Sequence, residues 1–150
     1  MAYDLPINSL EKQWMPFTDN RGFKSDPRLI TEAKGVYMTS HRGTTVIDGS
    51  SGLFCSPAGH CHPKIIEAVH EQLKINTYTA PFGLGHPASF ALADQVAKLT
   101  PTEMNHVFFV NSGSEAIDTA LKMVMSYHSA RGENRHRFVS RERAYHGVNM

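Results

Sequence analysis

The stretch Val107-Phe108-Phe109-Val110-Asn111-Ser112-Gly113-Ser114-Glu115-Ala116 decides how the rest of the chain is read. Its apolar first half predicts a buried strand ending at Asn111, and Ala116 to Arg131 has helical spacing, so Ser112-Gly113-Ser114 becomes a tight strand-to-helix turn. At such a turn the first helical N–H groups lack intrahelical partners and carry the positive end of the helix dipole, which favours a dianionic phosphate. Gly113 lets the backbone approach a ligand, and the two serine hydroxyls can donate to it. The same residues also satisfy the capping-box pattern Ser-x-x-Glu through Ser112 and Glu115, which requires no ligand. Neither a Gly-x-x-x-x-Gly-Lys-Ser/Thr loop nor a Gly-x-Gly-x-x-Gly fingerprint occurs in the chain, which argues against a P-loop or a dinucleotide site.

Downstream, Arg137 to Ser140 predicts a second strand, and Tyr145-His146-Gly147 lies in the loop after it. Strand, helix 114–131 and strand make a βαβ unit whose right-handed crossover implies a parallel sheet. Ligands of such sheets sit beyond the carboxyl ends of the strands, where both loops fall. An aromatic ring beside a phosphate site can stack on a flat cofactor, and the combination suits pyridoxal phosphate or flavin mononucleotide.

Upstream, Gly35 to Thr39 and Thr44 to Gly49 flank Ser40-His41-Arg42-Gly43 as a β-hairpin, and a third short strand could include Leu53 and Phe54. Ile65, Ile66, Val69 and Leu73 predict a helix from Pro63 that fades near Asn76. A second helix runs from about Pro87 to Leu99, stopped by Thr100-Pro101. Trp14-Met15-Pro16-Phe17-Thr18 is interrupted by proline and reads as an extended segment packed on something else.

Composition narrows the function classes. With 41% hydrophobic and 19% charged residues, the 150-residue chain is of ordinary globular type, and a net charge of +1 without a basic stripe argues against a nucleic-acid partner. No apolar run approaches the roughly 18 residues of a membrane span. Cys55 and Cys61 lack a Cys-x-x-Cys spacing, and no signal-peptide pattern opens the chain, so a cytoplasmic setting is expected. His60, Cys61 and His62 invite a metal site. Strand-like alternation would point the two histidines apart, so they are expected to hydrogen-bond the loop entering the first helix, with no metal. Glu115 and Asp118 share a helix face, a pattern commoner for capping or solvated carboxylates than for an acid–base pair. Two parallel strands cannot cover both faces and edges of a sheet, so the chain is expected to be the N-terminal portion of a longer protein.

Phe108 to Ala116, followed by Ala144-Tyr145-His146-Gly147, together with Val46-Ile47-Asp48-Gly49-Ser50-Ser51-Gly52 and Gly59-His60-Cys61-His62-Pro63, resembles the class III pyridoxal-phosphate aminotransferases. Trp14 to Thr18 and Tyr78 to His86 are most similar to the ω-amino acid:pyruvate (β-alanine:pyruvate) branch. The resemblance implies an α/β chain of the fold-type I transferases. Residues 1–55 would be the N-terminal segment and small-domain hairpin, and residues 56–150 the beginning of the cofactor-binding large domain and its sheet. It implies pyridoxal 5'-phosphate as cofactor, with Ser112, Gly113 and Ser114 at its phosphate, Tyr145 stacked on its ring, and Glu115 and His146 close by. Phe17, Phe54 and Phe82 would line the substrate pocket, some of them from the partner subunit of a homodimer or tetramer. The implied partners are a small amino donor and a keto acid acceptor.

This sequence departs from the pattern at Phe54, where the branch usually has tryptophan, so a wider pocket is expected. The Schiff-base lysine and the aspartate that pairs with the pyridine nitrogen belong to a later region, and none of Lys64, Lys74, Lys98 or Lys122 is placed for the lysine's task. The 150-residue chain by itself is therefore expected to be inactive. An aminomutase or decarboxylating relative, or a non-catalytic binding module, are the alternatives.

Overall fold

The structure, a computed structural model, describes residues 7–149. It divides into two units, one ending at Tyr78 and one starting at Thr79.

The first unit is built on a three-stranded antiparallel sheet of order β1-β2-β3: β1 (Ile30–Lys34), β2 (Tyr37–Ser40) and β3 (Thr45–Ile47). The expected hairpin is β2–β3, in the register Tyr37 opposite Ile47. β1 carries Glu32 and Lys34 among short side chains and lacks the apolar alternation that would have announced it. Gly35, at φ +59, makes the tight β1–β2 connection, a left-handed conformation that glycine adopts without a Cβ penalty. Ahead of the sheet lie a 3-10 helix (Ile7–Lys12) and α1 (Asn20–Ser25), capped by the Asp19 carboxylate accepting from the Gly22 amide. Asn20 brackets Met15 by two hydrogen bonds, one in each direction and both 2.9 Å. Trp14 and Phe17 are exposed, so the expected packing of this segment is not made among the described residues.

Leu53 and Phe54 are not in a strand. Ser51–Phe54 is instead a single helical turn, α2, with φ between +53 and +69 at every residue. A carboxylate and a histidine, described below, explain why the chain coils there instead of extending. α3 (Pro63–Ile75) starts with proline in its first turn and ends at Asn76, as its spacing predicts.

The second unit holds α4 (Pro87–Ala97) and α5 (Gly113–Ala130). The imidazole Nδ1 of His86 caps α4 by accepting from the Ala88 amide. α5 ends in a Schellman motif: Gly132, at φ +73, donates to Ser129 O and Glu133 to His128 O. Residues 106–110 and 137–140 are in no strand and pair with nothing among the described residues, so the parallel sheet is not formed there. A strand exists through its ladder, and the two strands of a crossover unit need not be neighbours in their sheet. Consistent with that, no hydrophobic side chain is buried among the described residues, and the α3 face of Ile65, Ile66, Val69 and Leu73 remains half exposed.

Candidate functional site

At the amino end of α5, Ser112 has the extended backbone of an N-cap, and its hydroxyl oxygen accepts from the Glu115 amide at 3.2 Å. Glu115 turns back, and its Oε2 accepts from the Asn111 amide at 2.7 Å. The capping box is therefore present, reaching one residue further back than its usual partner. It accounts for Ser112 and Glu115, and it leaves Gly113 and Ser114. Their amides have no hydrogen-bond partner among the described residues, and the space over Gly113 is open for 4 Å around the position a Cβ would take.

The second loop comes to this point. Gly147, at φ +106, lies so close to Ser114 that an added Cβ would stand 2.9 Å from the Ser114 Cα. The Val148 amide donates to Ser114 Oγ at 3.3 Å. That bond uses the hydroxyl as an acceptor, leaving its proton available for a donor role toward an anion. Two loops 34 residues apart in sequence thus meet at a helix N-terminus that offers two amides and a hydroxyl. Tyr145 and His146 are on the same loop and exposed. Asp118 is engaged with Lys122 at 2.7 Å, one turn along the helix, and not with Glu115.

The first unit contains a cluster that the sequence patterns only half disclose. The Asp48 carboxylate, 3% exposed, follows β3 and accepts four hydrogen bonds. Oδ1 receives the Ser50 amide at 3.0 Å and the Ser50 hydroxyl at 2.9 Å; Oδ2 receives the Gly52 amide at 2.6 Å and His60 Nε2 at 2.8 Å. The histidine first, then the Ser50 hydroxyl, hold the carboxyl down to about 2, so it is ionised at neutral pH and His60 must donate through Nε2. The His60 side chain thus bonds Asp48 just after β3, and not the loop entering α3 as expected, while among the described residues His62 Nδ1 is buried without a partner. No group of metal-ligating side chains occurs among the described residues. The cluster reaches α2 through the Gly52 amide, and left-handed backbone at Ser51, Leu53 and Phe54 there costs about 1–2 kcal/mol per residue. An aspartate two residues before a serine signals a local turn. Nothing local points to a histidine 12 residues on.

Phe17 and Phe54 lie in the first unit and Phe82 in the second, each with its ring largely exposed. Phe17 and Phe54 both have positive φ, at +51 and +69.

The family described as Aminotransferase class-III matches residues 20–150. The chain belongs to the class III aminotransferases. Similarity within the class III aminotransferases includes an omega-aminotransferase of Caulobacter vibrioides, 45% identical over 146 residues, which are 97% of this chain and 33% of that protein. An omega-amino acid–pyruvate aminotransferase of Pseudomonas putida is 46% identical over 142 residues, 94% of this chain and 32% of that protein. Among solved structures, the omega transaminase of Pseudomonas jessenii in complex with PMP superposes with a TM-score of 0.90 at 32% identity, over 97% of this chain and 33% of that one. The chain thus spans about a third of the length of these relatives. An α/β segment with a small antiparallel sheet is what the fold expectation required.

Proposed function

We propose that the whole protein is a pyridoxal-phosphate-dependent aminotransferase that moves an amino group from an ω-amino acid or amine, such as β-alanine, to pyruvate or another keto acid. The observation that carries this reading is the meeting of Gly147 with Ser114 at the start of α5, where the Gly113 and Ser114 amides have no partner among the described residues and the Ser114 hydroxyl is used there only as an acceptor. That donor set fits a phosphate: the Gly113 and Ser114 amides and the Ser114 hydroxyl donate, the α5 dipole adds to them, and Ser112 keeps the turn in shape as its cap. Tyr145 stacks on the pyridine ring, with His146 beside it. When bound, the cofactor supplies an aldehyde that takes up the amino group and a protonated ring that withdraws electrons from the reacting carbon.

Phe17, Phe54 and Phe82 line the substrate pocket in this reading, with some contributed across a homodimer or tetramer. Residues 1–55 belong to the smaller domain and 56–150 to the cofactor-binding one. The free thiols of Cys55 and Cys61 suit a cytoplasmic enzyme, and no helix among the described residues is long and apolar enough to cross a membrane. Residues 1–150 alone are expected to be inactive, because none of their lysines is placed to bond the cofactor.

The test is the absorption spectrum of the whole protein. Its cofactor band should fall on adding β-alanine and return on adding pyruvate. A band indifferent to every amino donor overturns the proposal.

A further inference from the structure

We infer that Asp48 and His60 are a positioning pair that sets donor-size selectivity by fixing the left-handed Ser51–Phe54 turn on which Phe54 stands. This rests on the reading above, in which Phe54 lines the substrate pocket, and names what holds that wall in place.

The geometry carries the inference in a chain of attachments. Gly35, between β1 and β2, exchanges two backbone hydrogen bonds with His60, its N–H donating at 2.9 Å and its carbonyl accepting at 2.7 Å. Glycine at 59 suits that pairing: a Cβ there would stand a tight 3.2 Å from the Gly35 backbone, and its φ of +86 strains any side chain. His60 is thereby fastened to the sheet, and its Nε2 reaches the Asp48 Oδ2. The same oxygen receives the Gly52 amide. Asp48 is itself held to β2's leading edge, its amide donating to Val36 O at 2.8 Å. The turn closes with Phe54 N donating to Ser50 O and Ser56 N to Ser51 O. A Cβ on Gly52 would stand 3.0 Å from Ser56 Oγ, so the inside of the turn is filled.

Three residues with side chains adopt left-handed backbone here, a conformation that a free chain does not choose. The local hydrogen bonds of the turn are backbone bonds that right-handed coiling could equally provide. The carboxylate's bond to the Gly52 amide, backed by His60, is specific to the observed conformation. Phe54, at the end of the turn, is 84% exposed and gains nothing from packing within its unit, so its position is set by the backbone beneath it. Releasing Asp48 lets the ring swing and the pocket wall change shape while the sheet and α3 stay formed.

The experiment uses the whole protein with cofactor and measures kcat/KM for a small donor, β-alanine, and a bulky arylalkylamine. Asp48→Ala should change the ratio of the two by about tenfold, and the Gly52 amide should exchange at least tenfold faster with solvent. In a Phe54→Ala background the same Asp48→Ala substitution should change the ratio less than twofold, because its effect passes through the ring. His60→Ala, which leaves the carboxylate's amide bonds in place, should shift the ratio in the same direction and by less, and serves if Asp48→Ala fails to fold. A ratio that ignores both substitutions, or one that shifts equally with and without Phe54, overturns the inference. A wild-type protein whose cofactor band ignores every amino donor removes the proposed function and this inference with it; an active enzyme whose ratio ignores Asp48 removes the inference alone.

Discussion

The turn at Ser112–Ser114 and the turn at Ser51–Phe54 each present residues assigned to ligand contact, and they are held by opposite means. The first is a right-handed helix start that ordinary capping satisfies from within, through Ser112, Glu115 and Asn111. Its distant support among the described residues is Gly147 and Val148 resting on Ser114. The second is left-handed and depends on a carboxylate and a histidine brought from outside the turn. A site for an invariant chemical group such as a phosphate can be made of backbone amides at a helix end. In the second turn the unfavourable backbone that carries Phe54 is kept by a buried carboxylate.

The most damaging change to the first turn should be Gly147→Ala. Its φ of +106 and the 2.9 Å approach to Ser114 leave no place for a methyl group, so the loops must part. Cofactor retention by the whole protein should weaken by about 2–3 kcal/mol, on the order of 100-fold by equilibrium dialysis. Unaltered retention would remove the second loop from the site. Tyr145→Ala should shift the cofactor absorbance and slow turnover about tenfold, the scale of one lost ring contact. Identical spectra and rates would separate Tyr145 from the cofactor.

Smaller effects sharpen the contrast. Ser112→Ala removes a cap and should lower thermal stability by about 1 kcal/mol. A stability equal to wild type would mean the α5 end is satisfied some other way. In the second turn, Asp48 has a carboxyl depressed to about 2 from 3.8, mainly by His60. Because the folded value is the lower one, its stabilisation is fully present above pH 3.8 and is lost as pH falls toward 2. The stability difference between wild type and Asp48→Asn should therefore narrow over that interval. A gap that stays constant would deny the carboxylate its role.

What the sequence discloses follows the range of the interactions. The α5 cap, the proline starts of α3 and α4, and the β2–β3 hairpin all rest on residues within a few positions of one another, and each stands where its pattern puts it. β1 has no local signal, because Glu32 and Lys34 interrupt any alternation. Leu53 and Phe54 look like strand residues, and only the Asp48 contact to Gly52 turns them into a left-handed coil. The stretches 106–110 and 137–140 read as strands in the sequence but have no partner strands among the described residues, so the ladder that defines a strand is missing. In the candidate site, the convergence of the two loops could be argued from topology. The contact of Gly147 with Ser114 could not, since no local signal fixes a meeting across 34 residues.

The central claim is that the start of α5 is a phosphate site built on a cap, and not a cap alone. Its most direct test compares the cofactor dissociation constants of Ser114→Ala and Ser112→Ala in the whole protein. Ser114→Ala removes a charge-assisted donor and should cost about 1.5–3 kcal/mol of cofactor affinity, whereas Ser112→Ala, which loses mainly a cap, should weaken binding at least tenfold less than that. Equal constants for the two variants, or a larger loss from Ser112→Ala, would contradict it.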